Sequence, residues 1–374
     1  MHFPEVAYMT WAKTLPKARI NLARSGMDPC PASLLRLSAR DCVPNHPLPD
    51  GRGQTLAYYG YAPLLEALGK RYSVGVDRVL ALPGGTSLAN FVACAAAIAD
   101  AGPHPEVIVE RPTYEQLRRI PETLDCRIRR LERRYQDGWG IDLELFARLV
   151  NRRTRLAIVS NLHNPSGMRI EPAVLRSMAR LLGRVGAFLL VDEVYLECLF
   201  GREAASSVHA GSNVLVTNSL TKAYGLDGLR AGWILGPKPL IHRAGKIYDL
   251  MGVNAVVPGE RLALAAFRNL EAIRRHTRKR MAANREGVRR FLAMEPRLQA
   301  HLPPGGNIFF ARLPRHLDGD RFAKHLLRRY STLVAPGSFF ESPRCVRVGF
   351  SSAPRRLARG LENLSRALDD LAGR

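Results

Sequence analysis

From about residue 79 to 237 the chain alternates short apolar runs with segments of helical period, as successive strand–helix–strand units do. Seven runs read as strands: 79–83, 106–110, 127–131, 155–161, 187–195, 214–219 and 231–235. Several are continuously apolar (LAIVS, FLLVDE, VLVTN) rather than alternating, which suits strands of a mostly parallel sheet buried on both faces. Helical patterns fill 87–101, 142–150 and 172–185. After Pro237 the pattern changes to a long charged helix over 258–292, short strands at 307–313, 332–334 and 346–350, and a last helix over 354–371. The expected fold class is α/β: a large domain over 41–249 with a seven-stranded sheet flanked by helices. A smaller α+β domain is expected from 1–40 together with 250–374.

Composition narrows the class further. Hydrophobic residues make up 46% and charged residues 24%, ordinary for a globular protein. The most apolar stretch, from Phe91 to Ala101, falls short of the roughly 18–20 residues that span a bilayer, so no membrane partner is expected. The start of the chain mixes His2, Glu5 and Lys13 with apolar residues and lacks the basic head and apolar core of a signal peptide. Six scattered cysteines without a C-x-x-C pair argue against a disulfide framework and against a zinc site, and point to the cytoplasm and to no bound metal.

The net charge of +23 comes from arginine clusters such as Arg129–Arg130 and Arg152–Arg153. No helix-turn-helix, zinc finger or aromatic-basic ribbon accompanies them, so the reading is a solvated arginine-rich surface and no nucleic-acid partner. Only eight of the 56 basic residues are lysine, so a lysine in a demanding context stands out.

Lys222 is in such a context. It follows the apolar run 214–219 in the segment Ser219-Leu220-Thr221-Lys222-Ala223-Tyr224-Gly225-Leu226, which continues to Gly228, Arg230, Gly232 and Trp233. Burial disfavours the ammonium and lowers its pKa, as a Schiff-base nucleophile requires. Ser219, Thr221 and Arg230 are groups that a phosphate would use. Val191-Asp192-Glu193-Val194-Tyr195 and Asn161-Leu162-His163-Asn164-Pro165-Ser166-Gly167 each end an apolar run, where α/β sheets place ligands. Pro83-Gly84-Gly85-Thr86-Ser87 closes a strand and opens a helix, whose free N–H groups and dipole favour an anion.

Together these segments resemble the fold-type-I pyridoxal-phosphate (PLP) enzymes, specifically the class I/II aminotransferases. The resemblance runs from about Tyr58 to Arg347 with the motifs in the family's order, and the family's lysine pattern is matched by Ser219, Thr221, Lys222, Tyr224, Gly225, Leu226, Gly228, Arg230, Gly232 and Trp233. It implies a catalytic set of Lys222, Asp192 and Tyr195. Lys222 would form the Schiff base with pyridoxal 5′-phosphate. Ser219 and Arg230 would hold the phosphate, with Gly85 and Thr86 contributing from the helix start. Asp192 would pair with the pyridine nitrogen, Tyr195 and Asn164 with the ring 3′-oxygen, and Tyr114 would stack on the pyridine face. Arg347 would clamp the substrate α-carboxylate, with Asn164 and Gly26 beside it. The implied activity is amino transfer between an amino acid and a 2-oxo acid, in a homodimer with shared active sites.

Departures from the family pattern fall on the substrate side. The stretch Ile20-Asn21-Leu22-Ala23-Arg24-Ser25-Gly26-Met27-Asp28-Pro29 keeps the family's glycine, but the residues after it are changed. The segment Met251-Gly252-Val253-Asn254 lacks the second arginine of dicarboxylate-specific members, so strict aspartate specificity is not expected. Tyr58, Tyr59 and Tyr61 resemble the segment that sends a tyrosine to the neighbouring subunit. An alternative activity shares every cofactor motif: elimination, cyclisation or decarboxylation of an amino acid. A DNA-binding regulator on this fold is not expected, because the motifs begin within about 50 residues and leave no room for a winged-helix domain.

Overall fold

The computed structural model describes residues 3–15, 17–42, 60–199, 204–252 and 255–372. Helix α1 (Ala7–Thr14) and the two-residue strand β1 (Ile20–Asn21) come first, followed by α2 (Ala62–Tyr72). The next elements are β2 (Val79–Pro83), α3 (Thr86–Ile98), β3 (Glu106–Arg111), α4 (Glu115–Thr123), β4 (Arg127–Glu132), α5 (Leu143–Leu149), β5 (Thr154–Ser160) and α6 (Pro172–Gly183). Strands β6 (Phe188–Asp192), β7 (Val214–Ser219) and β8 (Ala231–Leu235) complete a seven-stranded sheet of order β2-β8-β7-β6-β5-β3-β4. Only β8 runs against the rest, antiparallel to both β2 and β7.

Alternate residues of each strand feed two apolar layers. Leu80, Leu82, Val107, Val109, Ile158 and Leu190 join one cluster, and Val79, Ala81, Ile108, Val159 and Val191 join the other. Burying such side chains contributes about 1.5–3 kcal/mol each. Double-sided burial explains why these strands read as unbroken apolar runs.

Beyond the sheet lie α7 (Lys238–Asp249), α8 (Val257–Arg268) and α9 (Leu270–Met294). The single long helix expected over 258–292 is therefore two. Asn269 leaves helical backbone at φ −112, ψ 14, and its side-chain amide donates to the carbonyls of Ala265 at 3.0 Å and Leu35 at 2.9 Å. Asparagine competes with the backbone in this way and ends the helix.

The C-terminal part contains β9 (Ile308–Arg312), α10 (Gly319–Tyr330), β10 (Thr332–Leu333), β11 (Ala335–Pro336), β12 (Cys345–Gly349) and α11 (Pro354–Leu371). Strands β11, β12 and β9 form an antiparallel sheet, and β10 pairs in parallel with β1. The chain's beginning is thus stitched to its end.

Two local devices aim residues at the sheet's C-terminal edge. Strand β6 stops at Asp192, short of the expected 187–195, because the Asp192 carboxylate accepts from Val194 N at 3.0 Å and turns the chain out. At the start of α3, Gly85 takes φ +71, which a side chain rarely adopts.

Candidate active site

At the carboxyl ends of β5 and β6, a cleft of about 300 Å³ opens between the sheet and the N-terminal segment. Its walls include Lys222, Asp192, Tyr195, Asn164, Tyr114, Thr86, Arg230 and Gly26. Gly85, Ser219 and Arg347 lie just behind that wall. Ser219 Oγ is 2.7 Å from Thr221 Oγ1, which does face the cleft.

Lys222 Nζ donates to Ser25 Oγ at 3.3 Å. Burial holds its amine below the ordinary lysine pKa, and the nearby charge of Arg347 acts in the same direction. Gly26 lies against it: a Cβ there would stand 3.8 Å from Lys222 Cδ.

Asp192 is buried at the end of β6. Its Oδ2 accepts from Asn90 Nδ2 at 2.9 Å, and Asn90 Oδ1 accepts in turn from Thr217 Oγ1 at 2.5 Å. Burial pushes the Asp192 carboxyl up to about 6 against the pull of these hydrogen bonds. Such a carboxylate gains from any cation placed against it. Neighbouring Glu193 points elsewhere and accepts from Ser207 N at 2.6 Å.

Arg347 on β12 is 1% exposed. Its Nη1 donates to Asn164 Oδ1 at 3.0 Å, and its Nη2 donates to the Tyr8 hydroxyl at 2.7 Å and to Ala23 O at 3.0 Å. The guanidinium lies over the rings of Phe340 and Tyr8, 4.8 and 5.2 Å from their centroids. Burial pushes the Tyr8 phenol up, but Arg347 and Lys222 together hold it below its ordinary value.

Behind Asn164 a buried network fixes the loop. Asn164 N donates to Ser160 Oγ at 3.0 Å, and Ser160 Oγ donates to Glu110 Oε1 at 2.6 Å. Glu110 Oε2 pairs with Arg133 Nη1 at 2.6 Å, with both side chains fully enclosed. His163 Nε2 is 2.9 Å from Pro112 O, an acceptor only, so Nε2 carries the proton and Nδ1 accepts from Ser166 Oγ. Burial keeps this imidazole neutral.

At the opposite end of the cleft, Arg230 takes φ +50 and its Nη2 donates to Gly84 O. Helix α3 opens there with no side-chain cap. Its first N–H groups are left for an external anion. A Cβ on Gly85 would come within 3.0 Å of Thr221 Cγ2 and 3.5 Å of Arg230 Nη2, so the glycine keeps that corner open.

This donor set fits PLP: an anion corner at one end, a buried carboxylate beneath the middle, and a lysine of lowered pKa between. Sequence reasoning had missed Tyr8, Ser25 and Asn90. Ser25 stands in the stretch around Gly26 without a role of its own there, Tyr8 and Asn90 belong to no motif, and the fold gives each its partner. Tyr58 and Tyr59 lie outside the described residues.

The chain belongs to the aminotransferase class I and II family, whose model matches residues 31–364. It is a PLP-dependent aminotransferase, with an amino acid and a 2-oxo acid as its substrates. It is 30% identical to capreomycidine synthase of Streptomyces vinaceus over 268 residues, 70% of this chain and 68% of that one. It is also 30% identical to an arginine–pyruvate transaminase of Pseudomonas aeruginosa over 246 residues, 64% of this chain and 62% of that one, less than two thirds of the transaminase. A PLP-dependent aminotransferase from Streptococcus suis superposes with a TM-score of 0.88 at 23% identity, covering 99% of both chains.

Proposed function

We propose that Lys222 carries the cofactor and transfers amino groups in a cleft completed by Asp192, Asn164 and Arg347. PLP, when bound, supplies an electron sink for the bond broken at the substrate's Cα. The phosphate end belongs to Thr86, Arg230, Ser219 and the N–H groups at the start of α3, next to Gly85. Asp192, held by Asn90 and by Val194 N, keeps a proton on the pyridine nitrogen. Tyr195 and Asn164 take the ring oxygen, and Tyr114 covers the ring face. Arg347 presents a planar fork to the α-carboxylate beside Gly26, which a lysine could not reproduce. Lys222 Nζ, whose lowered pKa favours the free amine, moves the α-proton.

The observation that carries this reading is the convergence of Lys222, Asp192 and the Asn164–Arg347 pair on one cleft. The test is a panel of amino acids mixed singly with the holoenzyme. Transamination consumes the long-wavelength cofactor band and releases one 2-oxo acid per site. A cofactor band that returns without any 2-oxo acid, with a cyclised or eliminated product instead, contradicts it. The similarity to capreomycidine synthase and the altered segment after Gly26 favour that second outcome as the alternative.

We also propose a homodimer in the cytoplasm. Leu250, 89% exposed, and half-exposed Met251 and Val256 are apolar side chains of the kind that subunit interfaces cover. The six cysteines are free thiols, as a reducing compartment keeps them. Among the described residues no helix is long and apolar enough to cross a membrane. Light scattering on the active enzyme checks the dimer, and a fully active monomer would contradict it.

A further inference from the structure

The chain from Leu22 to Met27 runs past Lys222 and is tied down along its backbone. Leu22 O accepts from Gly349 N at 2.6 Å, and Ala23 O accepts from Arg347 Nη2 at 3.0 Å. Ser25 O accepts from Asn307 Nδ2 at 2.8 Å, and Gly26 O accepts from Ser351 Oγ at 2.7 Å. Met27 N donates to Lys222 O at 3.0 Å, which joins the segment to the lysine's own backbone. Ser25 is buried in this frame, so its side chain is placed without having to anchor the segment itself. A group fixed in advance spares the reaction the entropy of ordering it.

The Ser25 hydroxyl meets three proton-bearing side chains. Its Oγ accepts from Lys222 Nζ at 3.3 Å. Burial pushes the phenols of Tyr8 and Tyr195 up, and Arg347 and a hydrogen bond from Ser25 both pull against it. The charged groups around Nζ divide: burial, Arg347 and Arg230 favour the free amine, whereas Tyr8 and Asp227 favour the ammonium. Asp192 is near enough to sense the charge of Lys222. Among the described residues, Ser25 is the hydrogen-bond partner of Nζ. A neutral hydroxyl suits that place, because a carboxylate there would raise the lysine's pKa and retain its proton.

We propose that Ser25 is a positioning residue for proton transfer: its hydroxyl holds the Lys222 amine on the same frame that holds Arg347. The proposal rests on the reading of Lys222 as the cofactor-bearing residue. Arg347 grips Ala23 O and the Tyr8 hydroxyl, so the carboxylate fork and the support of the amine move as one unit. In the step that Ser25 serves, the substrate's Cα–H bond breaks and its proton forms an N–H bond on Nζ. The electron pair passes to the bound cofactor, and Ser25 keeps its own proton.

The test compares the natural enzyme with Ser25→Ala and Ser25→Thr, each in two cofactor forms. With pyridoxamine 5′-phosphate bound, Lys222 is free, and acrylonitrile labels it at a rate that follows its amine fraction. Mass spectrometry reads the Lys222 peptide across pH. Ser25→Ala removes a hydrogen bond that favours the ammonium, so the labelling midpoint should move about one pH unit lower. For an accepted amino acid, kcat should fall about tenfold with KM unchanged, and the isotope effect of α-deuteration should grow. Ser25→Thr keeps the hydroxyl and should restore both the midpoint and most of the rate. Equal labelling of Lys222 with pyridoxal 5′-phosphate bound contradicts the cofactor assignment, and this proposal with it. Protection of Lys222 in that form, but an unmoved midpoint in Ser25→Ala, overturns the role of Ser25 alone. So does a Ser25→Thr midpoint shifted as far as that of Ser25→Ala.

Discussion

Arg347 Nη2 donates to the Tyr8 hydroxyl at 2.7 Å across 339 residues of sequence, joining the first helix to the last sheet at the floor of the cleft. The contact gives Tyr8 a role that its surroundings in the sequence do not announce. Tyr8→Phe removes one charge-assisted hydrogen bond, worth about 1.5–3 kcal/mol. The kcat/KM for an accepted amino acid should fall by roughly tenfold or more, with cofactor affinity unchanged. Arg347→Lys should cost on the order of a hundredfold, because the planar fork is lost. Steady-state kinetics with a parallel cofactor titration checks both.

Asp192→Asn should retain the cofactor and lose most turnover. An amide cannot keep a proton on the pyridine nitrogen, and preorganised electrostatic contributions of this kind are worth about 3–4 kcal/mol. Asn90→Ala, which removes the hydrogen bond to Asp192 and the acceptor of Thr217 Oγ1 but leaves the carboxylate in place, should give a smaller loss in the same direction. Single-turnover rates for the two variants should fall in that order.

Glu193 offers a stability test away from the chemistry. Burial pushes its carboxyl up to about 7 against hydrogen bonds from Ser207. Between the ordinary carboxylate pKa and 7 the unfolded chain releases this proton while the folded protein keeps it. The contribution of Glu193 is therefore fully present at low pH and is lost as pH rises through about 7. Its size is on the order of 3 kcal/mol. Glu193→Gln cannot ionise, so denaturant melts at pH 5 and pH 8 should show a smaller pH-dependent loss for the variant than for the natural protein.

The sheet was legible because burial on both faces writes unbroken apolar runs into β5, β6 and β7, and Gly85 and Lys222 sit at strand hand-over points. Elements that break their own pattern were harder to read. Helix α4 carries Pro121 in its interior, and α8 and α9 look like one helix until the Asn269 side chain is seen replacing a backbone bond. In the cleft, residues at strand ends could be anticipated. Tyr8, Ser25 and Asn90 could not, because their partners Arg347, Lys222 and Asp192 lie more than a hundred residues away. Contacts of that range leave no local periodicity.

The central claim is that Lys222 is the residue that holds the cofactor. Purified holoenzyme is reduced with borohydride, digested, and mapped by mass spectrometry. The account predicts a phosphopyridoxyl group on the peptide containing Lys222 and on no other lysine, and none in Lys222→Ala folded to the same circular-dichroism spectrum. Label on any other lysine, or label persisting in Lys222→Ala, would contradict it.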